Sequence, residues 1–233
     1  FPVTLTDALG KEVTLEQAPT RIVSLIPSNT EILFGLGLDE EIVGVNDNDN
    51  YPAQAAKKEK VGGYEYNLEV ILALQPDLVL AHEAGLYGLG DGIAQLEAAG
   101  IKVFVVKNAV NFEETYETIE QIGQLTGRLE EAKAINGKVQ ADIAAIQEKL
   151  KDAEAKSTFV VIGMEPDIYA AGAGSYMDEM LKVLKVENAV TVEGWPAYSA
   201  EDFVASNADT ILVTYASDIE ILTTNPAYAA MKA

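Results

Sequence analysis

Apolar and polar residues alternate along Val3-Thr4-Leu5-Thr6 and again along Glu12-Val13-Thr14-Leu15, with Ala8-Leu9-Gly10 between them. That period of two around a glycine turn predicts a β-hairpin within residues 1–20. The pattern then changes: Arg21-Ile22-Val23-Ser24-Leu25-Ile26 is a short, nearly continuous apolar run of the kind buried on both faces of a parallel sheet. Pro27-Ser28-Asn29 ends it, and helical spacing takes over from about Thr30 to Leu36, stopped by Gly37. Alternation continues with a strand at 42–45, a helix at 68–74, a strand at 78–81, a helix at 93–99 and a strand at 103–106.

From residue 111 the spacing becomes helical. Asn111 with Glu114 three residues on has the form of a capping box, followed by an apolar stripe of Phe112, Tyr116, Ile119 and Ile122, with Leu125-Thr126-Gly127 closing the helix. A second stripe, Ala132, Ile135, Val139, Ile143, Ile146 and Leu150, predicts a helix reaching about Ala153, about 35 Å long. Strand and helix then alternate again: strand 159–162, helix 177–184, strand 189–192, helix 201–206 and strand 210–213. Residues 1–110 thus read as an N-terminal α/β lobe, 111–153 as a helical region with the backbone helix between lobes, and 154–233 as a C-terminal α/β lobe. An Asn225-Pro226 helix start so close to Ala233 reads as an element cut short.

An internal repeat ties the two ends together. The fourteen-residue segment from Asn67 to Leu80 lies over that from Ser199 to Leu212 without a gap, placing Glu69 on Glu201, Ala73 on Ala205 and Asp77 on Asp209. Upstream, the strand and helix of 22–36 resemble those of 159–183 in order. Two matches in the same order predict duplication: two Rossmann-like α/β lobes with parallel sheets, joined by one long α-helix, with a ligand cleft between the lobes.

Charge narrows the partners. Acids outnumber bases 37 to 16, for a net charge of −21. Binding phosphates needs a basic face, so nucleic acid is excluded and anionic lipid disfavoured. The acidity suits a basic partner and equally well serves solubility alone. With no cysteines, disulfides and thiolate chemistry are excluded. No apolar run approaches a membrane span and no signal segment is present, so the chain reads as a mature or trimmed product.

In open parallel sheets ligands sit beyond the carboxyl ends of the strands. The segments there are 27–29, 46–51, 62–66 and 82–92 in the first lobe, and 163–174, 193–198 and 215–218 in the second. They hold most of the tyrosines and the only tryptophan, and neither lysine nor arginine. From these loops Ser28, Tyr64, His82, Tyr87, Tyr169 and Trp195 are candidate ligand-binding residues; Pro27 and Asn48 join them through the family resemblance given below. The alternative for any one tyrosine is that it covers a loop–core junction. A lone histidine such as His82 most often satisfies local hydrogen bonds; otherwise a neutral imidazole here caps a metal carried inside a ligand. Glu69 and Glu201, in the first turns of helices capped by Asn67 and Ser199, either serve the helix dipole or dock onto paired arginines of a partner.

The glycine clusters at 85–92 and 172–174 lack phosphate-cradle and dinucleotide spacing, and no zinc-protease or nucleophile-elbow motif is present. They read as loops that allow close approach, and the chain reads as no enzyme.

Arg21-Ile-Val-Ser-Leu-Ile-Pro-Ser-Asn-Thr-Glu, Val43-Gly-Val, Tyr51-Pro, Asn67-Leu-Glu and Pro76-Asp-Leu-Val-Leu-Ala, in this order, resemble the helical-backbone (class III) substrate-binding proteins of ABC importers. That group serves cobalamin, iron–siderophore complexes and haem; Trp195-Pro196 before Ser199-Ala-Glu201 is similar to its cobalamin-binding members. The resemblance implies capture of a corrinoid, with a ferric siderophore or haem as the alternative, and delivery to an ABC permease with basic docking residues. It implies no cofactor beyond the transported ligand, and a monomer working outside the cytoplasm, periplasmic or lipid-anchored. It places Pro27, Tyr64, Tyr169 and Trp195 at cleft-lining positions and Glu69 and Glu201 at the permease-docking glutamates. His82 stands where a close relative has tryptophan and Asn48 where one has tyrosine. The family continues past residue 233 with a further strand and helix.

Overall fold

The structure, a computed structural model, describes residues 1–228 and Met231. Backbone contacts divide it into two units. Unit 1 comprises Phe1–Ala109 and Glu113–Lys138, and unit 2 comprises Val110–Phe112 and Val139–Ala233. The helical stretch 111–153 is therefore shared, with the boundary falling inside its second helix.

Unit 1 opens with the hairpin β1 (Val3–Thr6) and β2 (Glu12–Leu15), antiparallel with Val3 opposite Leu15. β3 (Ile22–Ser24) leads into α1 (Pro27–Gly35), which begins three residues earlier than helical spacing alone predicts. Proline supplies the reason. Its fixed φ suits the first helical position, and it holds the preceding Ile26 extended, at φ −150° and ψ 147°.

The rest of unit 1 follows in order: β4 (Ile42–Val45), β5 (Glu59–Lys60), α2 (Leu68–Ala73), β6 (Leu78–His82), α3 (Leu86–Leu89), α4 (Gly92–Ala98) and β7 (Lys102–Val106). α5 (Phe112–Thr126) and α6 (Leu129–Lys149) come next. The sheet runs β5-β4-β3-β6-β7, all parallel.

Alternate residues of these strands feed two cores. Ile22, Leu78, Leu80 and Phe104 pack with Val13 and Leu15 of the hairpin, Leu33 of α1, Ile119 and Ile122 of α5 and Ala132 of α6. Val23, Val79, Ala81, Val103 and Val105 pack with Ile71 of α2, Leu89 of α3 and Leu96 of α4. With both faces covered, period-two alternation is lost and the strands read as unbroken apolar runs.

Unit 2 holds β8 (Ser157–Gly163), β9 (Ile168–Ala170), α7 (Tyr176–Val183), β10 (Glu187–Asn188), β11 (Ala197–Tyr198), α8 (Ala200–Ala205), β12 (Thr210–Val213) and α9 (Ala216–Thr224). β8 is its centre. β10 and β12 pair with it in parallel, β9 pairs with it antiparallel, and β11 extends β9 antiparallel. The strand expected at 189–192 is instead β10, two residues earlier and two residues long. Its partner edge is available only near Ser157 and Thr158, because from Val161 onward that edge is taken by β9. The core gathers Phe159, Phe203, Tyr198 and Tyr228 edge-to-face, with Phe159 and Phe203 centroids 4.8 Å apart.

The duplication is visible strand by strand. β4-β3-β6 of unit 1 corresponds to β10-β8-β12 of unit 2. Asn67 Oδ1 accepts from the Val70 N–H to cap α2, and Ser199 Oγ accepts from the Asp202 N–H to cap α8. Gln75 and Asn207, equivalent positions after those helices, both adopt φ 48°. Asp77 accepts from the Thr20 and Arg21 N–H groups, and Asp209 accepts from the Ser157 N–H. After α9 a short 3₁₀ turn spans Pro226–Tyr228, the helix start expected at 225–226. The rest of that element, at 229–230, and residues 232–233 lie outside the described residues.

Candidate functional site

Within unit 1 the loops at the carboxyl ends of the strands enclose a cavity of about 270 Å³. It is lined by Ile26 and Pro27 after β3, Asn46 and Asn48 after β4, Gly63, Tyr64 and Tyr66 before α2, and Ala84, Gly85, Tyr87 and Gly88 after β6. A wider opening of about 680 Å³ shares the tyrosine wall and is bordered by Asp47 and Glu65. Four sequence candidates meet here: Pro27, Asn48, Tyr64 and Tyr87. Ser28 lies exposed in the first turn of α1, outside this lining.

A polar scaffold holds the floor. Tyr66 Oη donates to the Leu25 carbonyl at 2.8 Å and Asn46 Nδ2 donates to the same oxygen at 2.9 Å, so two loops are tied to the end of β3. Burial pushes the Tyr66 hydroxyl's pKa up. The Asn46 loop is closed from inside: Asp49 Oδ2 accepts from the Thr30 hydroxyl at 2.6 Å and from the Asn46 N–H at 3.1 Å. Lys60 Nζ donates to the Asn46 and Asp49 carbonyls. Burial raises the Asp49 pKa against the lowering effect of those bonds. Asn48 is exposed, its own N–H donated to Asn46 Oδ1.

The wall above this floor is aromatic and open. Tyr64 is 94% and Tyr87 98% exposed, far beyond what a loop–core junction requires. Glycine makes the wall: a Cβ on Gly88 would stand 1.9 Å from the Tyr64 carbonyl oxygen, and one on Gly85 2.7 Å from Tyr66 Oη. His82 ends β6 and is buried. Its Nδ1 accepts from the Ala84 N–H at 3.1 Å, capping the 3₁₀ turn Glu83–Gly85. Burial lowers its pKa, opposed by Glu83, so the ring is neutral at pH 7.

In unit 2, Tyr169 sits on β9 opposite Ala197 of β11, and Trp195 precedes β11. Tyr169 is 43% and Trp195 56% exposed. The Trp195 loop is pinned by four backbone bonds: Ala170 N–H to Pro196 O, Gly172 N–H to Gly194 O, Ala173 N–H to Val192 O, and Gly194 N–H to Ala173 O. Gly172 is indispensable there, since a Cβ would meet the Val192 oxygen at 1.9 Å.

Glu69 and Glu201 are both exposed, each the second residue of its helix. The sequence reading did not single out Asn46, Tyr66, Gly85 or Gly88 as site residues. The two-residue spacing of Tyr64 and Tyr66 carried a signal for Tyr66; the close approaches at Gly85 and Gly88 exist only in three dimensions.

The family model for periplasmic binding proteins matches residues 22–233. The chain is 43% identical over 218 residues to an uncharacterized ABC transporter substrate-binding lipoprotein, YvrC, of Bacillus subtilis, covering 92% of this chain and 69% of that protein. It is 33% identical over 199 residues to a vitamin B12-binding protein of Salmonella typhimurium, covering 84% of this chain and 73% of the relative. Among solved structures it resembles one from Staphylococcus epidermidis, described as a possible iron-binding (periplasmic solute-binding) protein. That likeness has a TM-score of 0.83 and 34% identity, and covers 93% of this chain and 86% of the other.

Proposed function

The chain belongs to the periplasmic binding protein family, whose members are solute-binding transport components and not enzymes, and we propose that it captures cobalamin or another corrinoid for an ABC importer. The observation that carries the reading is the exposed aromatic wall of Tyr64 and Tyr87 over a cavity lined by no charged side chain. Tyr64 and Tyr87 offer broad apolar faces with polar tips, and unit 2 separately exposes Tyr169 and Trp195 on its own loops. Such rings suit a large, partly apolar ligand at low entropic cost.

Lys60 is spent on backbone carbonyls, Lys107 after β7 is paired with Glu114, and no lysine or arginine lines the cavity. A strongly anionic ligand would lack partners there. The 33% identity to a vitamin B12-binding protein supports the same ligand class. A ferric siderophore or haem is the second reading, favoured by the likeness to the Staphylococcus epidermidis protein.

Trp195 is the chain's only tryptophan, so intrinsic tryptophan fluorescence reads its loop alone. Cyanocobalamin is expected to quench it saturably. Quenching by haem or a ferric siderophore with none by cyanocobalamin would reverse the order of ligands.

Exposed and paired by the repeat, Glu69 and Glu201 dock the loaded protein onto basic residues of the permease, which then supplies the transport step. This places the protein outside the cytoplasm; none of its helices, among the described residues, is long and apolar enough to cross a membrane. Reversing both charges (E69K together with E201K) leaves cyanocobalamin binding intact and abolishes uptake in cells. Uptake at the wild-type rate would remove the docking role.

A further inference from the structure

We infer that His82 is a positioning residue for the ligand-site wall: its imidazole clamps the Glu83–Gly85 turn through the Ala84 N–H, and the clamp opens when the ring takes up a proton. The inference rests on the ligand site proposed above, and it assigns His82 to the wall instead of to a metal inside the ligand.

The geometry fixes the ring's chemistry. A nitrogen that accepts a hydrogen bond carries no proton, and Nδ1 accepts from the Ala84 N–H at 3.1 Å. The neutral ring therefore bears its hydrogen on Nε2. A histidine that ligates a metal through Nε2 shows the opposite arrangement, with Nδ1–H donating to an acceptor. In this tautomer Nε2–H is a donor and unsuited to ligation.

The clamp acts on the wall directly. Ala84 and Gly85, the two residues that follow His82 and Glu83, line the cavity. Gly85 in turn packs against Tyr66 Oη, and three residues further on Gly88 packs against the Tyr64 carbonyl. One hydrogen bond thus sets the start of a segment whose position decides where both tyrosines stand. Protonating Nδ1 converts the acceptor into a donor facing the Ala84 N–H, and the two hydrogens repel.

Glu83, in the clamped turn, acts on the imidazole and favours its charged form. Its carboxylate also accepts from the Asn108 N–H. Lys107, one residue beyond the strand partner Val106, is paired with Glu114. The neighbouring strands β3 and β7 present Ser24 and Val106 at their ends. Burial opposes protonation, so the clamp is intact at neutral pH and opens only below 6.5.

His82 is the only histidine in the chain, so its imidazole resonances are assigned without ambiguity and need no ligand. Long-range ¹H–¹⁵N correlation spectra are expected to show the Nε2–H tautomer, and the Ala84 amide shift is expected to follow the imidazole titration. Histidine protonated on Nδ1, or an Ala84 amide indifferent to that titration, overturns the clamp whatever the ligand is.

Cyanocobalamin is the probe for the consequence. H82A is expected to bind it roughly fivefold more weakly, the effect of losing a cap of about 1 kcal/mol. H82N keeps an acceptor, as Asn67 does at the start of α2, and regains most of that affinity. Wild-type affinity falls as pH is lowered below 6.5, whereas that of H82N does not. Parallel pH profiles for the two overturn the inference. Failure of wild-type protein to bind cyanocobalamin overturns the ligand reading alone, and the spectra still decide the clamp.

Discussion

The two halves of this chain start their helices in the same way and surround their sheets differently. Asn67 and Ser199 cap equivalent helices, Asp77 and Asp209 brace equivalent strand starts, and Gln75 and Asn207 make the same left-handed turn. Yet β6 of unit 1 is buried along its whole length, flanked by β3 and β7, while β12 of unit 2 alternates exposed and half-buried residues beside β8. The short-range chemistry of caps and turns needs only a few neighbouring residues. Strand burial depends on what else the chain lays on each face and edge, so the second copy kept the local code while its sheet became mixed. Both halves also back an exposed aromatic loop with a glycine that admits no Cβ, Gly88 behind Tyr64 and Gly172 behind the Trp195 loop.

The largest effect is expected where the equivalent positions are both fully buried. Ile71 and Phe203 occupy the same place in the repeat, each with none of its surface exposed. Phe203→Ala removes a ring packed edge-to-face against Phe159 and Tyr228 and is expected to cost about 3–5 kcal/mol, against about 2–5 for Ile71→Ala. Denaturant unfolding followed by Trp195 fluorescence reads unit 2, so it registers Phe203→Ala more strongly, while far-UV circular dichroism registers both. Equal shifts in the fluorescence midpoint would mean that the halves unfold as one and that the comparison describes packing without separate stability.

The mildest change is expected at the two left-handed turns. Gln75 and Asn207 share φ 48°, a region that costs an ordinary side chain about 1–2 kcal/mol and asparagine less. Glycine removes that strain but adds freedom to the unfolded chain. Gln75→Gly is therefore expected to raise stability by about 0.5 kcal/mol and Asn207→Gly to leave it nearly unchanged. A larger gain at Asn207 than at Gln75, read from melting temperatures, would show that something other than backbone conformation distinguishes the two turns.

Much of the fold was legible because its determinants are local in sequence. Hairpin alternation, apolar strand runs, helix caps and the Asn67–Leu80 repeat all act over a few residues, and the structure places the corresponding elements within a few residues of those spans. Pattern alone starts α1 too late, because Pro27 reads as a breaker and is in fact the first helical residue. β9 and β11 were not foreseen, being only three and two residues long, too short for a period to register. The strand expected at 189–192 failed for a reason outside its own residues: β9 holds the edge it would have needed.

The α/β class, the duplication, the acidic charge and the gathering of aromatics in the strand-end loops can be read along the chain, because alternation, capping and composition are properties of neighbouring residues. The packing of the folded chain brings Pro27, Asn48, Tyr64 and Tyr87 into one cavity and leaves Ser28 outside it. It also makes Asn46 and Tyr66 meet on one carbonyl of Leu25. Those outcomes depend on distances between segments twenty to sixty residues apart, and such distances are set by how two sheet faces fill their cores, not by any pattern along the chain.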